Sequence, residues 1–167
     1  MSKQHTTHVQ RLALGGLMAA LVCVATSVFK LPVPITQGYI HLGDAFVLVS
    51  AAILGPLGVA AGAIGSLLAD LLGGYFQYLL PTFVIKGLVG LVAYAGLKGS
   101  KPLWVEWLVL AAAEAVMVLG YFLAECLMYG VASAAGAVLP NVVQGLGGAV
   151  IGAVPIPVFR QVQKRIG

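Results

Sequence analysis

The sequence predicts an all-α membrane protein, a bundle of six transmembrane helices that forms a single domain over residues 1–167. Charged residues make up 8% of the chain and apolar residues 60%, and the mean hydropathy is +1.03. A soluble domain of this size leaves about a third of its unfolded surface in water, which so few charges could not cover. A third observation is a series of apolar segments, most of them near the roughly 20 residues that span a bilayer.

The apolar segments give the six predicted helices. They cover residues 12–29, 43–54, 56–74, 78–97, 103–131 and 142–158. The second segment is only about 18 Å long at 1.5 Å per residue, which is too short to cross a membrane alone. The stretch before it, residues 30–42, contains two prolines and a glycine and is predicted to be an irregular loop. Irregular backbone at membrane depth must be buried in protein or line a cavity, so this loop is a candidate binding element.

The basic residues predict that both termini are cytoplasmic. Short cytoplasmic loops are enriched in lysine and arginine, and six crossings place most of the basic residues on one side. These residues are Lys3, Arg11, Lys98, Lys101, Arg160, Lys164 and Arg165. The net charge of +4 therefore follows from the topology, and it gives no reason to expect nucleic acid as a partner.

Polar residues within and beside the predicted spans are candidates for a substrate site, because an ionisable group in a span costs at least about 2.5–3.5 kcal/mol on insertion. Glu114, Tyr121 and Glu125 are spaced to share one face of the fifth helix. The topology brings them together with polar groups of other helices in the outer half of the bundle, as expected for a pocket open to the outside. The candidate substrate-binding residues are His41, Asp44, Asp70, Tyr78, Thr82, Lys86, Glu114, Tyr121, Glu125, Asn141 and Gln144.

Several of these residues also have a structural interpretation. Asp44 and Asn141 could cap the N-termini of helices, and His41 could be a solvated loop residue. Lys86 could be the structural ion-pair partner of Asp70, Glu114 or Glu125. The tyrosines at positions 75, 78 and 129 could belong to the aromatic belt at the membrane surface.

Small residues on the first helix are candidates for docking a partner protein. Gly15, Gly16, Ala19 and Ala20 form overlapping pairs four residues apart, which allow close approach of another helix. Packing within the bundle is the alternative for these four. Packing within the bundle is the favoured interpretation for Gly58, Gly62 and Ser66 of the third helix and for Gly148 and Gly152 of the sixth.

The sequence gives little indication of catalysis. It contains no Walker-type phosphate loop, no cluster with metal-ligand spacing and no nucleophile–base pair at useful spacing. We therefore expect neither an enzyme nor a bound cofactor, and energised transport would require a partner that uses ATP.

Four segments resemble the S components of energy-coupling factor (ECF) vitamin transporters. They are YIHLGDAFVLVSAAILGP, GSLLADLLGGY, PTFVIKGLVG and PNVVQGLGGAVIG, in this order. The resemblance covers nearly the whole chain and is closest to the subgroup for pyridoxine or hydroxymethylpyrimidine, within a wider set that includes riboflavin S components.

The resemblance implies a high-affinity binding subunit in the bacterial cytoplasmic membrane. Such a subunit would take a vitamin from the outside, under the loops after helices one, three and five. It would act with a transmembrane coupling subunit and two ATPase subunits, which use the ATP. The coupling subunit would contact a small-residue motif on helix one, which maps onto Gly16 and Ala20 or onto Gly15 and Ala19, with glycine in place of the family's first alanine.

Two other classes of protein remain open. A stand-alone proton-coupled transporter would use Lys86, Glu114 and Glu125 as a relay, although the chain lacks an obvious inverted repeat of the kind such carriers often show. A purely structural membrane protein would contain the same buried charges only as pairs.

Overall fold

The computed structural model describes residues 8–99 and 101–158, which form a bundle of six helices with one small hairpin. The helices are α1 (His8–Val28), α2 (Gly43–Leu54), α3 (Pro56–Gly73), α4 (Leu79–Leu97), α5 (Leu103–Tyr129) and α6 (Val131–Ala153), and the strands are β1 (Lys30–Val33) and β2 (Gly38–His41). Within these residues, five helical segments are apolar and long enough to cross a membrane, whereas α2 has only 12 residues. The predicted all-α membrane fold is confirmed.

The orientation of the termini stays a prediction. Lys3, Arg160, Lys164 and Arg165 lie outside the described residues. The other three basic residues of the predicted cytoplasmic side lie at or near helix ends. Arg11 is in the first turn of α1, and Lys98 and Lys101 lie between α4 and α5.

The connection between α1 and α2 is an antiparallel hairpin, so the prediction of an irregular loop was wrong. Lys30 pairs with His41 and Val33 with Gly38. In the turn, Gln37 adopts a left-handed conformation with φ of 54°. Paired strands satisfy much of their backbone hydrogen bonding within the hairpin. Non-helical backbone at membrane depth needs such internal hydrogen bonds, because lipid offers none.

The last helix begins at Val131, well before the predicted start at residue 142. Only Gly130, with φ of 84°, separates it from α5, and Pro140 lies inside it. Proline removes one intrahelical hydrogen bond, but it is more frequent in transmembrane helices than in soluble ones. Asn141 therefore lies within a continuous helix and is not a cap, and Gln144 lies well inside α6 instead of near its start.

The short helix α2 is the centre of the bundle. It packs against α1, α3, α4 and α6, and Val47, Leu48 and Ala51 have no exposed surface. A helix surrounded on four sides can be apolar throughout without facing lipid. Its burial explains how a helix too short to cross the membrane alone is held inside it.

Glycines permit the close approach of α3 and α6 to α2. A Cβ atom on Gly58 would collide with the backbone carbonyl of Ser50, and one on Gly62 would lie 3.0 Å from Val47. Gly148 and Gly152 of α6 face the first turns of α2 in the same way. The predicted packing role of the small residues in the third and sixth helices is confirmed.

The two small-residue pairs of α1 have different surroundings. Gly15 is buried against α3, and a Cβ atom on Gly65 of α3 would collide with the carbonyl oxygen of Ala19. In contrast, Gly16 and Ala20 are exposed, and a Cβ atom on Gly16 would have no neighbour within 4 Å. Packing against α3 thus uses Gly15 and Ala19 and leaves Gly16 and Ala20 as a free surface.

We expect Gly58→Ala to lower the free energy of unfolding by about 1–3 kcal/mol, because the added methyl group can be accommodated only if α3 moves away from α2. The measurement is thermal unfolding of the purified chain in detergent. Gly16→Ala is the control and should leave stability unchanged or slightly raised. Equal stability of the two variants would contradict the close α2–α3 contact.

Candidate functional site

A polar cavity lies beneath the hairpin, between it and helices α3, α4, α5 and α6. Its volume is about 30 Å³, which is enough for about two water molecules. The cavity is lined by Val33, Thr36, Gly38, Tyr39, His41, Asp70, Tyr78, Thr82, Tyr121, Glu125, Ala137, Asn141 and Gln144.

Tyr39 of β2 connects the hairpin to α3. Its hydroxyl donates a hydrogen bond to Asp70 at 2.5 Å, and its ring lies 4.5 Å from that of Tyr75. The Lys30 ammonium nitrogen lies over the Tyr39 ring, 4.3 Å from its centroid. Burial, followed by the negative charge of Asp70, raises the pKa of Tyr39 above its ordinary value, so the phenol remains a donor. Burial lowers the pKa of Lys30, an effect that the charge of Asp70 opposes.

Tyr78 connects the hairpin to α5. It lies in a 3-10 helix of one turn, Phe76–Tyr78, just before α4. Its hydroxyl lies 2.7 Å from the Thr36 carbonyl oxygen and 3.1 Å from a carboxylate oxygen of Glu125. A phenol has one hydrogen and can fully satisfy only one of these acceptors at a time. The Glu125 carboxylate therefore has unused capacity to accept a hydrogen bond at the cavity wall.

Thr82 of α4 and Tyr121 of α5 form a hydroxyl pair in the cavity wall. Their oxygens are 3.0 Å apart, and either can be the donor. The Tyr121 ring lies 6.3 Å from that of Tyr78 and 5.2 Å from the Lys86 ammonium nitrogen. The cavity thus has aromatic faces as well as polar groups.

His41 and Gln144 close one side of the cavity. The backbone N–H of His41 donates to the Gln144 side-chain carbonyl at 2.9 Å, and the His41 Nδ1 atom accepts from the N–H of Gly43 at 3.0 Å. The neutral imidazole then has its proton on Nε2. Burial lowers the pKa of His41 to about 3, so the ring is neutral at physiological pH and offers an N–H donor.

Asp44 and Lys86 form a buried ion pair behind the cavity. Asp44 lies in the first turn of α2 and Lys86 in α4, and neither side chain has exposed surface. The second carboxylate oxygen of Asp44 accepts a hydrogen bond from the Gln144 amide at 2.7 Å. Asp44 was predicted as a possible cap, but no side-chain cap bond is present at this helix start. The predicted partners of Lys86 were wrong, since its ion-pair partner is Asp44.

Glu114 of α5 lies near this ion pair but does not line the cavity. Its side chain is 5% exposed, and both carboxylate oxygens lack a hydrogen-bond partner among the described residues. They face the glycines of α6, where a Cβ atom on Gly148 would lie 2.9 Å from one of them. Glu114 also lines an apolar groove between α5 and α6.

The structure brings most of the predicted site residues to one place. Eight line the cavity, namely His41, Asp70, Tyr78, Thr82, Tyr121, Glu125, Asn141 and Gln144. Asp44, Lys86 and Glu114 lie outside its lining. Tyr78 is 4% exposed, so it is not a belt aromatic, and His41 is part of the wall and is not a solvated loop residue.

Sequence reasoning identified residues 30–42 as a candidate binding element and named His41, but it missed the other hairpin residues that line the cavity. Thr36, Gly38 and Tyr39 are the main examples. Tyr39 and His41 are two residues apart on β2, and alternate residues of a strand point to the same side. That alternation would have identified Tyr39 if the stretch had been recognised as strands.

The fold and this site define a multi-pass membrane protein built around a buried polar cavity. The family described as "ECF-type riboflavin transporter, S component" matches residues 6–159. The chain belongs to this family of S components of ECF-type transporters, which are transporter subunits and not enzymes. The resemblance found in the sequence is thereby confirmed at the level of the family.

Individual relatives agree with this assignment. The chain is 30% identical over 163 residues to the thiamine precursor transporter HmpT of Lactococcus lactis subsp. cremoris, covering 96% of this chain and 94% of the relative. It is 36% identical over 132 residues to an uncharacterised protein of Pyrococcus woesei, covering 78% and 88%. A crystal structure of the S component for biotin from an ECF-type ABC transporter has a similar fold, with a TM-score of 0.65 at 15% identity over 96% of this chain and 95% of that one.

We expect Lys86→Met to destabilise the protein by about 3–5 kcal/mol, because Asp44 would be left buried without a counter-charge. The double variant Asp44→Asn with Lys86→Met should be more stable than Lys86→Met alone, since neither charge remains. Thermal unfolding in detergent of both single variants and the double variant gives the coupling energy. Additive effects of the two substitutions would contradict the ion pair.

Proposed function

We propose that the chain is the substrate-binding subunit of an ATP-driven ECF importer in the bacterial cytoplasmic membrane. It captures a small vitamin from outside and delivers it inside together with the coupling subunits. The observation that carries this proposal is the buried polar cavity, in which tyrosine rings and the carboxylates of Asp70 and Glu125 face one space. Charges that served only to hold helices together would be expected to pair with each other, as Asp44 and Lys86 do, and not to line a shared cavity.

The chemistry of the lining favours a small, flat heteroaromatic ligand with hydrogen-bond donors. The rings of Tyr39, Tyr78 and Tyr121 offer faces for stacking. The carboxylates of Asp70 and Glu125 accept strong hydrogen bonds from amino or hydroxyl groups. The hydroxymethylpyrimidine precursor of thiamine has these features, and pyridoxine shares the ring and the hydroxymethyl groups. The similarity to a relative described as a thiamine precursor transporter supports the pyrimidine as the first choice.

Ligand binding must enlarge the cavity. Pockets for small molecules typically have volumes of roughly 300–1,000 Å³, well above the cavity's volume of about 30 Å³. The hairpin is the element best suited to move, because it is short and is joined to the helices by single hydrogen bonds such as that from Tyr39 to Asp70. A one-ring ligand requires a smaller movement than riboflavin, which has three fused rings and a long side chain.

The proposed partners are a transmembrane coupling subunit and two ATPase subunits, with ATP used by the ATPases and no cofactor required by this chain. The coupling subunit is proposed to dock on α1 at Gly16 and Ala20. This pair is exposed, and Gly16 has no neighbour within 4 Å. Gly15 and Ala19 are less suitable because they pack against α3.

We expect the purified chain to bind radiolabelled hydroxymethylpyrimidine and Glu125→Gln to bind it about 10- to 100-fold more weakly, since a hydrogen bond to a charged group contributes about 1.5–3 kcal/mol. Equilibrium dialysis in detergent gives the dissociation constants, and unlabelled pyridoxine and riboflavin serve as competitors. Mass spectrometry of the denatured protein identifies any vitamin that co-purifies.

Glu114→Gln is the matched control for this binding experiment. It removes a buried carboxylate from the same helix, α5, but from a position outside the cavity lining, so affinity should change little. Equal affinity of Glu125→Gln and the wild-type chain would remove Glu125 from the site. A wild-type chain that binds none of these vitamins would contradict the proposed function.

We expect Gly16→Trp to abolish vitamin uptake in cells that also produce the coupling and ATPase subunits, while the isolated variant still binds the ligand. A bulky side chain at this position prevents close helix approach, and the position lies outside the cavity lining. Leu123→Trp, at a lipid-facing position of α5 that is 55% exposed, is the control and should transport normally. Uptake by the chain without the ATPase subunits would instead favour a stand-alone carrier.

A further inference from the structure

A second space lies on the other side of the wall formed by His41 and Gln144. It is a groove with a volume of about 520 Å³ between the end of α1, the base of the hairpin and α6. Besides the wall residues, its lining includes Val28, Ile40, Val143 and Gly147. We call this space the lateral groove.

His41 and Gln144 separate the lateral groove from the cavity, since both residues line both spaces. The hydrogen bond from the His41 backbone N–H to the Gln144 side chain, 2.9 Å long, joins the two halves of this wall. The Nε2 atom of His41 and the amide nitrogen of Gln144 are 3.5 Å apart. Both nitrogens carry hydrogens when the neutral ring has its proton on Nε2, so this contact adds no strong hydrogen bond. The two halves of the wall are therefore joined mainly by one hydrogen bond, and Gln144 is also held by the bond from its amide to Asp44.

We propose that the lateral groove is an access vestibule for the ligand and that His41 and Gln144 form the gate between vestibule and cavity. The inference rests on the proposed function and specifies how the ligand reaches its site. Its occupant is the same small heteroaromatic molecule. The groove suits such a ligand because its lining is mostly apolar, with Lys30, His41 and Gln144 as its polar side chains.

The extent of the movement favours this route over one beneath the tip of the hairpin, which would require the backbone of the hairpin to move. Lifting the tip would break the bond from Tyr39 to Asp70 and that from Tyr78 to the Thr36 carbonyl. Opening the gate requires rotation of one side chain, that of Gln144, which breaks its bonds to the His41 N–H and to the Asp44 carboxylate and leaves the backbone of the hairpin in place.

Opening the gate also leaves no buried charge without a partner. If the Gln144 side chain swings away with the gate, the Asp44 carboxylate keeps its ion pair with Lys86. An unpaired buried carboxylate would be costly, so this second contact makes movement of Gln144 feasible.

The test is to fill the vestibule without touching the cavity. Gly147 lines the lateral groove, and a Cβ atom there would have no neighbour within 4 Å, so Gly147→Phe places its ring in free space. With radiolabelled hydroxymethylpyrimidine and rapid filtration, we expect the association and dissociation rate constants to fall together by about tenfold. The dissociation constant should stay unchanged, because an obstacle on the path alters neither the free nor the bound state.

Two variants serve as controls. Gly147→Ala adds too little volume to block the groove, and Gly16→Phe adds the same ring at an equally open glycine of α1 outside the groove. Both should retain wild-type rates. If Gly147→Phe does not fold, Val143→Phe tests the same wall one turn earlier, from a position that is 53% exposed.

Each result decides between the two proposals. Wild-type rates in a folded Gly147→Phe variant would overturn the vestibule while leaving the proposed function intact. A larger dissociation constant with an unchanged association rate constant would also overturn the vestibule, since the introduced phenylalanine ring would then act on the bound state. A wild-type chain that binds no hydroxymethylpyrimidine or pyridoxine would contradict the proposed function itself, and the vestibule with it.

Discussion

Asp44 and Lys86 form an ion pair without exposed surface at the point where α2 and α4 meet, and the Gln144 amide of α6 adds a hydrogen bond to it. Either charge alone at this depth would cost several kcal/mol, so the two residues hold their helices in a fixed relation. Asp44 lies in the first turn of α2. The pair therefore sets the depth at which this short helix begins, and with it the depth to which the preceding chain must descend.

The hairpin follows from that constraint. Because α2 begins inside the bundle, the chain between α1 and α2 has to run at a depth where unpaired backbone groups are costly. Strand pairing satisfies these groups locally. The hairpin is then bound to its neighbours through the Tyr39 hydroxyl, which donates to Asp70, and through the Thr36 backbone carbonyl, which accepts from Tyr78. The cavity is the space that remains between the hairpin and the helices it covers.

The parts of the structure that the sequence predicted are those set by lipid and by local periodicity. Lipid requires apolar surfaces whatever the helices pack against, so the number of helices and the bounds of α2 were correct. Helical spacing alone placed Glu114, Tyr121 and Glu125 on one face, and all three are buried. The apolar, alanine-rich residues 131–139 gave no start signal for α6, and a proline at position 140 suggested a boundary that a membrane helix does not need.

The parts that could not be predicted depend on contacts distant in sequence. The partner of Lys86 is 42 residues away, and its identity depends on how far α2 enters the bundle, which no local pattern encodes. Likewise, Glu114 shares a helical face with Glu125 but lies about three turns deeper, behind the cavity. Helical spacing predicts the face and the relative depth of these residues, but not how deep the cavity extends, which is why the candidate list combined residues of the cavity with residues near the ion pair.

The hydrogen bonds of Tyr78 link ligand chemistry to the position of the hairpin. Its single proton can be given fully to the Thr36 carbonyl, which holds the hairpin turn, or to Glu125, which lines the cavity. A ligand with its own donor satisfies Glu125 and leaves the phenol to hold the turn. A ligand without a donor leaves a buried acceptor unsatisfied, at a cost of about 1–3 kcal/mol, or draws Tyr78 away from Thr36. Under the proposed function, the same competition would favour amino- or hydroxyl-bearing rings and would stabilise the hairpin over them once they are bound.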